Sequence, residues 1–319
     1  MRSRDLALTL FLLSVVVVPV SATYAADHPL TPVYAETVHG GYLYTLGNST
    51  YSGTLEPGAT YTVAYEDLLP EGAEVGFARL YLYWAWSKDG QAAVYPAVDV
   101  AVDGTPLERV ARYTDSKGFV SKNDFFSGVD VYALPTLASG RPLTVTGTNA
   151  AEGNATFVVQ GAAVLLVYVD PAAPEKMLWV QEGADLLYSN YGITPEMATA
   201  QATFDGEIDT GRVKSATLFL AAPSAGYTTA DLPEKNRIAM NRGGESGLPS
   251  FIQSIIDLVF PSANGKTWID AFDADEERQV GTDRRDVTPW LRSSGNTVEV
   301  QDHGDYLQFT NAVLEVEMR

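Results

Sequence analysis

The stretch Val75-Gly76-Phe77-Ala78-Arg79-Leu80-Tyr81-Leu82-Tyr83 decides how this chain is read, because Val213-Lys214-Ser215-Ala216-Thr217-Leu218-Phe219-Leu220-Ala221 repeats it. With Ala78 set on Ala216, Leu80 falls on Leu218, Tyr81 on Phe219 and Leu82 on Leu220. A second echo sets Gly128-Val129-Asp130-Val131-Tyr132, ahead of Arg141 to Val145, against Arg285-Asp286-Val287-Thr288-Pro289, ahead of Asn296 to Val300. Two similar units with their elements in the same order point to duplication of one β-rich module. Duplicated exported β-modules more often present surfaces than house chemistry.

Working outward from that stretch, the chain reads as strand after strand. In Leu80 to Trp86 the even positions Leu80, Leu82, Trp84 and Trp86 face one way, and Tyr81 and Tyr83 face the other. Val98 to Val102 runs into Asp103-Gly104, a dipeptide that favours a tight hairpin turn. Phe157 to Val159 and Ala162 to Val169 are nearly continuously apolar, as expected for a strand covered on both faces. Asp170-Pro171-Ala172-Ala173-Pro174-Glu175 then breaks the pattern, since proline cannot join a central ladder and stiffens a connection. The second half reproduces the strands and adds one helix near 250–260. Ser250 caps it, Gln253 completes a capping box, and Ile252, Ile255, Ile256 and Val259 make an apolar stripe. The expected map is a signal peptide over 1–25, a flexible N-terminus over 26–36, a first β-sandwich over 37–170, a linker over 171–176 and a second β-sandwich over 177–319.

The leader has a positive n-region in Arg2 and Arg4, an apolar stretch from Leu6 to Val20, and small residues leading to cleavage between Ala25 and Ala26. Its core is short of the ~20 residues that span a bilayer. The chain has no cysteine, so packed cores alone must hold it together after export. Its formal net charge of -19 becomes -20 when the leader removes two positives and one negative. That balance argues against nucleic-acid binding, which needs clustered Lys and Arg, and favours solubility and attraction of cations.

Asp286-Val287-Thr288-Pro289-Trp290-Leu291 followed by Gly295-Asn296-Thr297-Val298 resembles a pattern between two strands of galactose-binding-like jelly rolls, with Thr288 as a helix cap and Pro289 at the first position of a short turn. Taken whole, the chain resembles the domain of unknown function 3344 family, found mainly in exported proteins of methanogenic archaea. Val38-His39-Gly40-Gly41-Tyr42, Ala78 to Tyr81, Val167 to Pro171, Trp179 to Gly183, Thr203 to Gly206 and Asp286-Val287-Thr288 carry the resemblance. Arg242-Gly243, where an Asn-Gly turn is more typical, and the insertion around Phe251 depart from it. The resemblance implies a secreted or cell-surface β-sandwich protein and transfers no catalytic residue. The expected fold is therefore all-β, two tandem jelly-roll or galactose-binding-like sandwiches with one short helical insertion.

Constellations that carry chemistry are sparse. The sequence has no Gly-x-Ser-x-Gly elbow, no Walker loop and no zinc spacing. Its histidines, His28, His39 and His303, are scattered, and His28 falls in the expected flexible N-terminus. Two acidic clusters offer oxygen ligands for structural calcium: Asp205, Glu207 and Asp209, and Asp273, Asp275, Glu276 and Glu277. Neither has EF-hand spacing, and solvated loop charge is the competing reading. Tyr81, Tyr83, Trp84, Trp86 and Tyr95 form a candidate sugar-stacking platform, against which stands their place on strand faces that read as core. Asn48 and Asn154 open N-glycosylation sequons. The expected function is a secreted, non-enzymatic structural or adhesive protein whose partners are cell-envelope proteins or glycans. A carbohydrate- or calcium-binding module is the alternative, and a secreted hydrolase stands third.

Overall fold

Strands of 13 to 16 residues dominate this chain, far above the ordinary length of about 5–6. The computed structural model describes residues 26–116, 125–134, 137, 139–229, 231–242 and 265–319. The expected leader over 1–25 and the expected helix over 250–260 lie outside the described residues. The strands are β1 (Thr31–Thr45), β2 (Thr54–Leu55), β3 (Thr60–Tyr65), β4 (Glu74–Asp89), β5 (Ala92–Ala93), β6 (Val98–Val102), β7 (Thr105–Pro106), β8 (Arg109–Asp115), β9 (Phe126–Ala133), β10 (Leu143–Asn149) and β11 (Thr156–Val169). They continue with β12 (Glu175–Leu187), β13 (Thr199–Phe204), β14 (Val213–Pro223), β15 (Asn236–Met240), β16 (Lys266–Ile269), β17 (Val280–Asp286), β18 (Asn296–Asp302) and β19 (Leu307–Met318). The fold is all-β, and the pairings among the described residues are antiparallel.

Two four-stranded sheets, β3-β10-β6-β7 and β13-β18-β15-β16, flank one large sheet ordered β17-β14-β19-β12-β1-β11-β4-β9-β8. The large sheet folds back on itself at β1. Residues Thr31 to His39 pair with β12, whereas Gly40 to Thr45 pair with β11. The bend requires glycine: Gly40 has φ +150, and a Cβ there would overlap the carbonyl oxygen of Tyr168. Such a strand, switching sheets at a bend, forms the corner of a sandwich.

The result is four layers with three cores between them. Leu80, Leu82 and Trp84 of β4 and Val164 and Leu166 of β11 pack against Val63, Val100 and Val145 of the first small sheet. Leu218 and Leu220 of β14 and Leu314 of β19 pack against Ala202, Ile238, Val298 and Val300 of the second. The central core is built from the intervening residues: Tyr81, Tyr83, Val129, Val131 and Leu165 meet Leu178, Val180, Phe219, Ala221 and Val313. Alternate residues of one strand thus serve different cores, which is why β11 is buried from Phe157 to Val167 and why its sequence is almost unbroken in hydrophobicity.

The two halves share one pairing register. Leu80 lies opposite Tyr132 and Val164, and its sequence match Leu218 lies opposite Arg285 and Leu314. Leu82 faces Asp130, and Leu220 faces Asp283. This corrects the second sequence echo. Gly128-Val129-Asp130 corresponds to Gly281-Thr282-Asp283, four residues upstream of the Arg285 match, because Trp84 and Ala222 face Gly128 and Gly281. Val145 likewise corresponds to Val298, through partners Val102 and Met240.

Three further expectations are revised. The N-terminus over 26–36 is not loose: Leu30 is buried in the second core, and Thr31 onward is strand, so the first segment of the chain belongs to the sheet of the second half. The linker is shorter than 171–176, because β12 begins at Glu175; it is pinned to the β1 corner by bonds from Gly40 N to Pro174 O and from Asp170 N to His39 O. Thr288 opens a 3-10 turn rather than capping one. Its Oγ1 accepts from Ala216 N at 2.7 Å and donates to Asp286 Oδ1 at 2.6 Å, tying the turn to β14.

Candidate functional site

Tyr81 and Tyr83 do not form a platform. Both are fully buried in the central core, where alternation along β4 points them at the opposing half of the large sheet. Tyr81 Oη donates to Glu182 Oε1 at 2.8 Å, and Tyr113 Oη reaches Glu182 Oε2 at 3.4 Å. Arg79 Nε lies 3.5 Å from the same carboxylate. Burial pushes the Glu182 carboxyl above its ordinary range, and the Tyr81 hydroxyl and Arg79 guanidinium offset part of that rise. Nearby, Tyr83 Oη donates to Asn311 Oδ1 at 2.6 Å and meets Tyr44 Oη at 3.0 Å. The bonds from Tyr81 to Glu182 and from Tyr83 to Asn311 cross between the two halves and fix how one sits on the other.

Trp84 is fully buried in the first core and donates through Nε1 to Asp130 at 3.3 Å. Asp130 in turn is held by Arg112 and Arg109. Trp86 departs from the alternation that the sequence shows. The pairing of β4 with β9 slips between Trp84 and Ser87, Trp86 takes φ +56, and Ser87 occupies the buried position instead. A bulky residue with positive φ is an uncommon, strained state. It turns Trp86 outward, 44% exposed, against Phe125 at 5.9 Å between ring centroids. Tyr95, also half-exposed, stacks on Phe126 at 4.5 Å. Of the expected platform, Trp86 and Tyr95 therefore reach solvent, each against its own phenylalanine.

Neither of the two expected calcium clusters brings three ligand atoms within 4.8 Å of one another in this structure. Asp209 Oδ1 caps a 3-10 turn by accepting from Gly211 N, and exposed Asp205 and Glu207 do not converge with it. Asp273 accepts from Thr282 N, and Asp275 accepts from Glu277 N and Arg278 N, which holds the Asp275 carboxyl below its usual range. Glu277 joins neither in a ligand set. Each carboxylate serves its own loop, as short acidic side chains near free backbone amides tend to do.

A different group converges. Among the described residues, Asp27, His28 and Asp115 place a ligand atom each within 4.8 Å of one another. His28 Nε2 lies 3.5 Å from Asp27 Oδ1 and 3.6 Å from Asp115 Oδ1. Asp115, the last residue of β8, is almost fully buried and accepts from Leu186 N at 2.8 Å. His28 N donates to buried Asp185 at 3.3 Å. No sequence motif signals this group, because Asp115 lies far along the chain from Asp27 and only the path of β8 brings it there. The sequon residues Asn48 and Asn154 are both exposed; Asn48 Oδ1 also accepts from Ala64 N.

The family profile described as "Protein of unknown function (DUF3344)" matches residues 23–317. The chain belongs to this family. The match spans both halves of the DUF3344 fold, including the β1 corner at Gly40-Gly41 and the Glu182 seam. No curated protein matches the chain. The major capsid protein P2 from Bacteriophage PM2 is similar over 87% of this chain and 98% of its own, at 11% identity and a TM-score of 0.22. A β-porphyranase of glycoside hydrolase family 86 from the human gut bacterium Bacteroides plebeius is similar over 92% of this chain and 36% of its own, at 12% identity and a TM-score of 0.21. Likenesses this slight carry no argument about fold or role. Among the described residues, no helix is long and apolar enough to cross a membrane.

Proposed function

We propose that this DUF3344 chain is an exported, non-enzymatic structural or adhesive component of the cell envelope, built from two tandem jelly-roll units of common origin. The observation that carries the proposal is the central core. Two units with one pairing register are joined back to back through Tyr81, Leu165, Phe219 and Val313, and strand β1 runs through both. Such a block resists bending between its units and leaves two small sheets facing outward, a form suited to spacing or presenting surfaces. Export rests on the leader over 1–25, and glycosylation at Asn48 and Asn154 fits it. Fractionation of the source cells tests the reading. Recovery with the envelope supports it, whereas release into the medium together with glycan-hydrolysing activity would favour the hydrolase.

A carbohydrate-binding role is the second reading, favoured by the outward turn of Trp86 and the exposure of Tyr95. Aromatic faces can stack on sugar rings, and strained backbone is concentrated at functional sites. Glycan-array screening of the wild type against Trp86→Ala tests it: a blank array removes this role.

A further inference from the structure

We propose that Thr199 and Gln301 react with each other to form an ester cross-link between β13 and β18, promoted by His303 and Glu234. The two residues stand directly opposite each other in the pairing of these strands. Gln301 Nε2 lies 2.8 Å from Thr199 Oγ1, and Gln301 is buried. His303, two residues on, sets its Nε2 2.8 Å from Gln301 Oε1. Its Nδ1 lies 2.7 Å from Glu234 Oε1, and both of these side chains are mostly buried. A hydroxyl, an amide, an imidazole and a carboxylate thus stand in one chain of contacts, the set of groups that acyl transfer uses.

Hydrogen-bond polarity assigns the roles. Thr199 Oγ1 donates to Pro195 O at 2.7 Å, so it accepts from Gln301 Nε2. That turns Gln301 Oε1 towards His303, whose Nε2 donates to it. The contact of Nδ1 with Glu234 has the length of a charge-assisted bond and orients the ring. Arg237 Nη2 donates to the same Glu234 oxygen at 2.6 Å and holds it in place. His303 Nε2–H is therefore aimed at the oxygen on which charge develops when the amide is attacked. A turn about Cγ–Cδ, a soft torsion, brings Cδ rather than Nε2 to Thr199 Oγ1. The Oγ1–Cδ bond then forms as the carbonyl electron pair moves onto Oε1. The pair returns, the Cδ–Nε2 bond breaks, and the departing nitrogen takes the hydroxyl proton and leaves as ammonia. Hydroxyl and primary amide become ester and ammonia, with no oxidant or other reactant.

The first half lacks this chemistry. In the shared register Thr148 corresponds to Gln301 and Thr60 to Thr199, and their hydroxyl oxygens lie 3.4 Å apart. Two hydroxyls offer no acyl carbon, so the cross-link belongs to the second half. There β13 is an edge strand, paired on one side only. The link would tie it down across 102 positions of chain, and closing a long loop restricts the unfolded chain most. A chain without cysteine gains a covalent staple in this way.

The test is mass spectrometry of the denatured chain, produced without glycosylation. The wild type should weigh less than its sequence by one ammonia. After trypsin, segments 177–212 and 293–319 should remain joined, and alkaline hydroxylamine, which cleaves esters, should separate them. Thr199→Val and His303→Ala should each show the full sequence mass and separate segments. Thr60→Val, at the matching register of the first half, should keep the mass loss. A folded wild type at full sequence mass, segments still joined in Thr199→Val, or linkage undiminished in His303→Ala would each overturn the assignment. The wild-type mass and the joined segments decide by themselves, whether or not a variant folds.

Discussion

Leu165 and Leu166 are adjacent on β11, chemically identical and both fully buried, yet they face different cores. Leu166 points into the first half, and Leu165 points at the junction. Truncation of either to alanine removes three carbon groups, worth about 0.8 kcal/mol each in transfer, or about 2.4 kcal/mol. Neither site can collapse easily, because β11 is held in register by β4 on one side and β1 on the other. An unrelaxed cavity raises the total to about 3–5 kcal/mol for each variant. Urea unfolding followed by tryptophan fluorescence measures both, with an unchanged slope showing that the transition remains the same. The decisive result is the comparison. If the halves met only through a loose, hydrated contact, Leu165→Ala would behave as a surface change, within about 0.5 kcal/mol of wild type, while Leu166→Ala kept its full cost. That outcome would refute the central core.

Three further substitutions probe the junction. Gly40→Ala should cost at least about 1–3 kcal/mol, because the corner combines φ +150 with backbone overlap at Tyr168; wild-type stability in urea would show that β1 does not bend there. Tyr83→Phe deletes the donor to buried Asn311 and should cost about 1–3 kcal/mol, with less than 0.3 kcal/mol contradicting the bond. Glu182→Gln tests pH dependence. A carboxyl raised by burial binds its proton more tightly folded than unfolded. Its stabilising contribution is thus full below the unfolded value of about 4.3 and is lost as pH rises through the higher folded value. Glutamine mimics the protonated form, so the variant should gain on wild type as pH climbs through that window, and a gap that narrows or stays flat counts against the buried charge.

Much of this architecture was legible in the residues. The unbroken apolar run from Ala162 to Val167 announced a strand covered on both faces, and Asp103-Gly104 marked the hairpin between β6 and β7 with φ +48 and +80. The opposite facing of Leu82 and Tyr81 was equally plain, because side-chain period two is fixed by strand geometry. What failed was whatever depended on a local break in that period. Trp86 read as core because alternation extended through it, and a one-residue slip beside it is not written in composition. The repeat was found where apolar residues match, at Leu80 and Leu218, but was misplaced by four residues at Asp130. There the counterpart of Tyr132 is Arg285, and apolar similarity gives no guide. In the acidic loops, neighbours in sequence such as Asp273 and Asp275 give oxygens to their own loop amides. Asp27, His28 and Asp115 converge only through tertiary structure, which spacing along the chain cannot encode.

Differential scanning calorimetry of the intact chain addresses the union of the two halves most directly. Welded through Leu165, Tyr81 and Phe219 and sharing β1, they should unfold together, in a single transition whose calorimetric and van't Hoff enthalpies agree. Two separable transitions, each carrying about half of the heat, would mean that the halves are independent modules and that the central core does not hold them as one body.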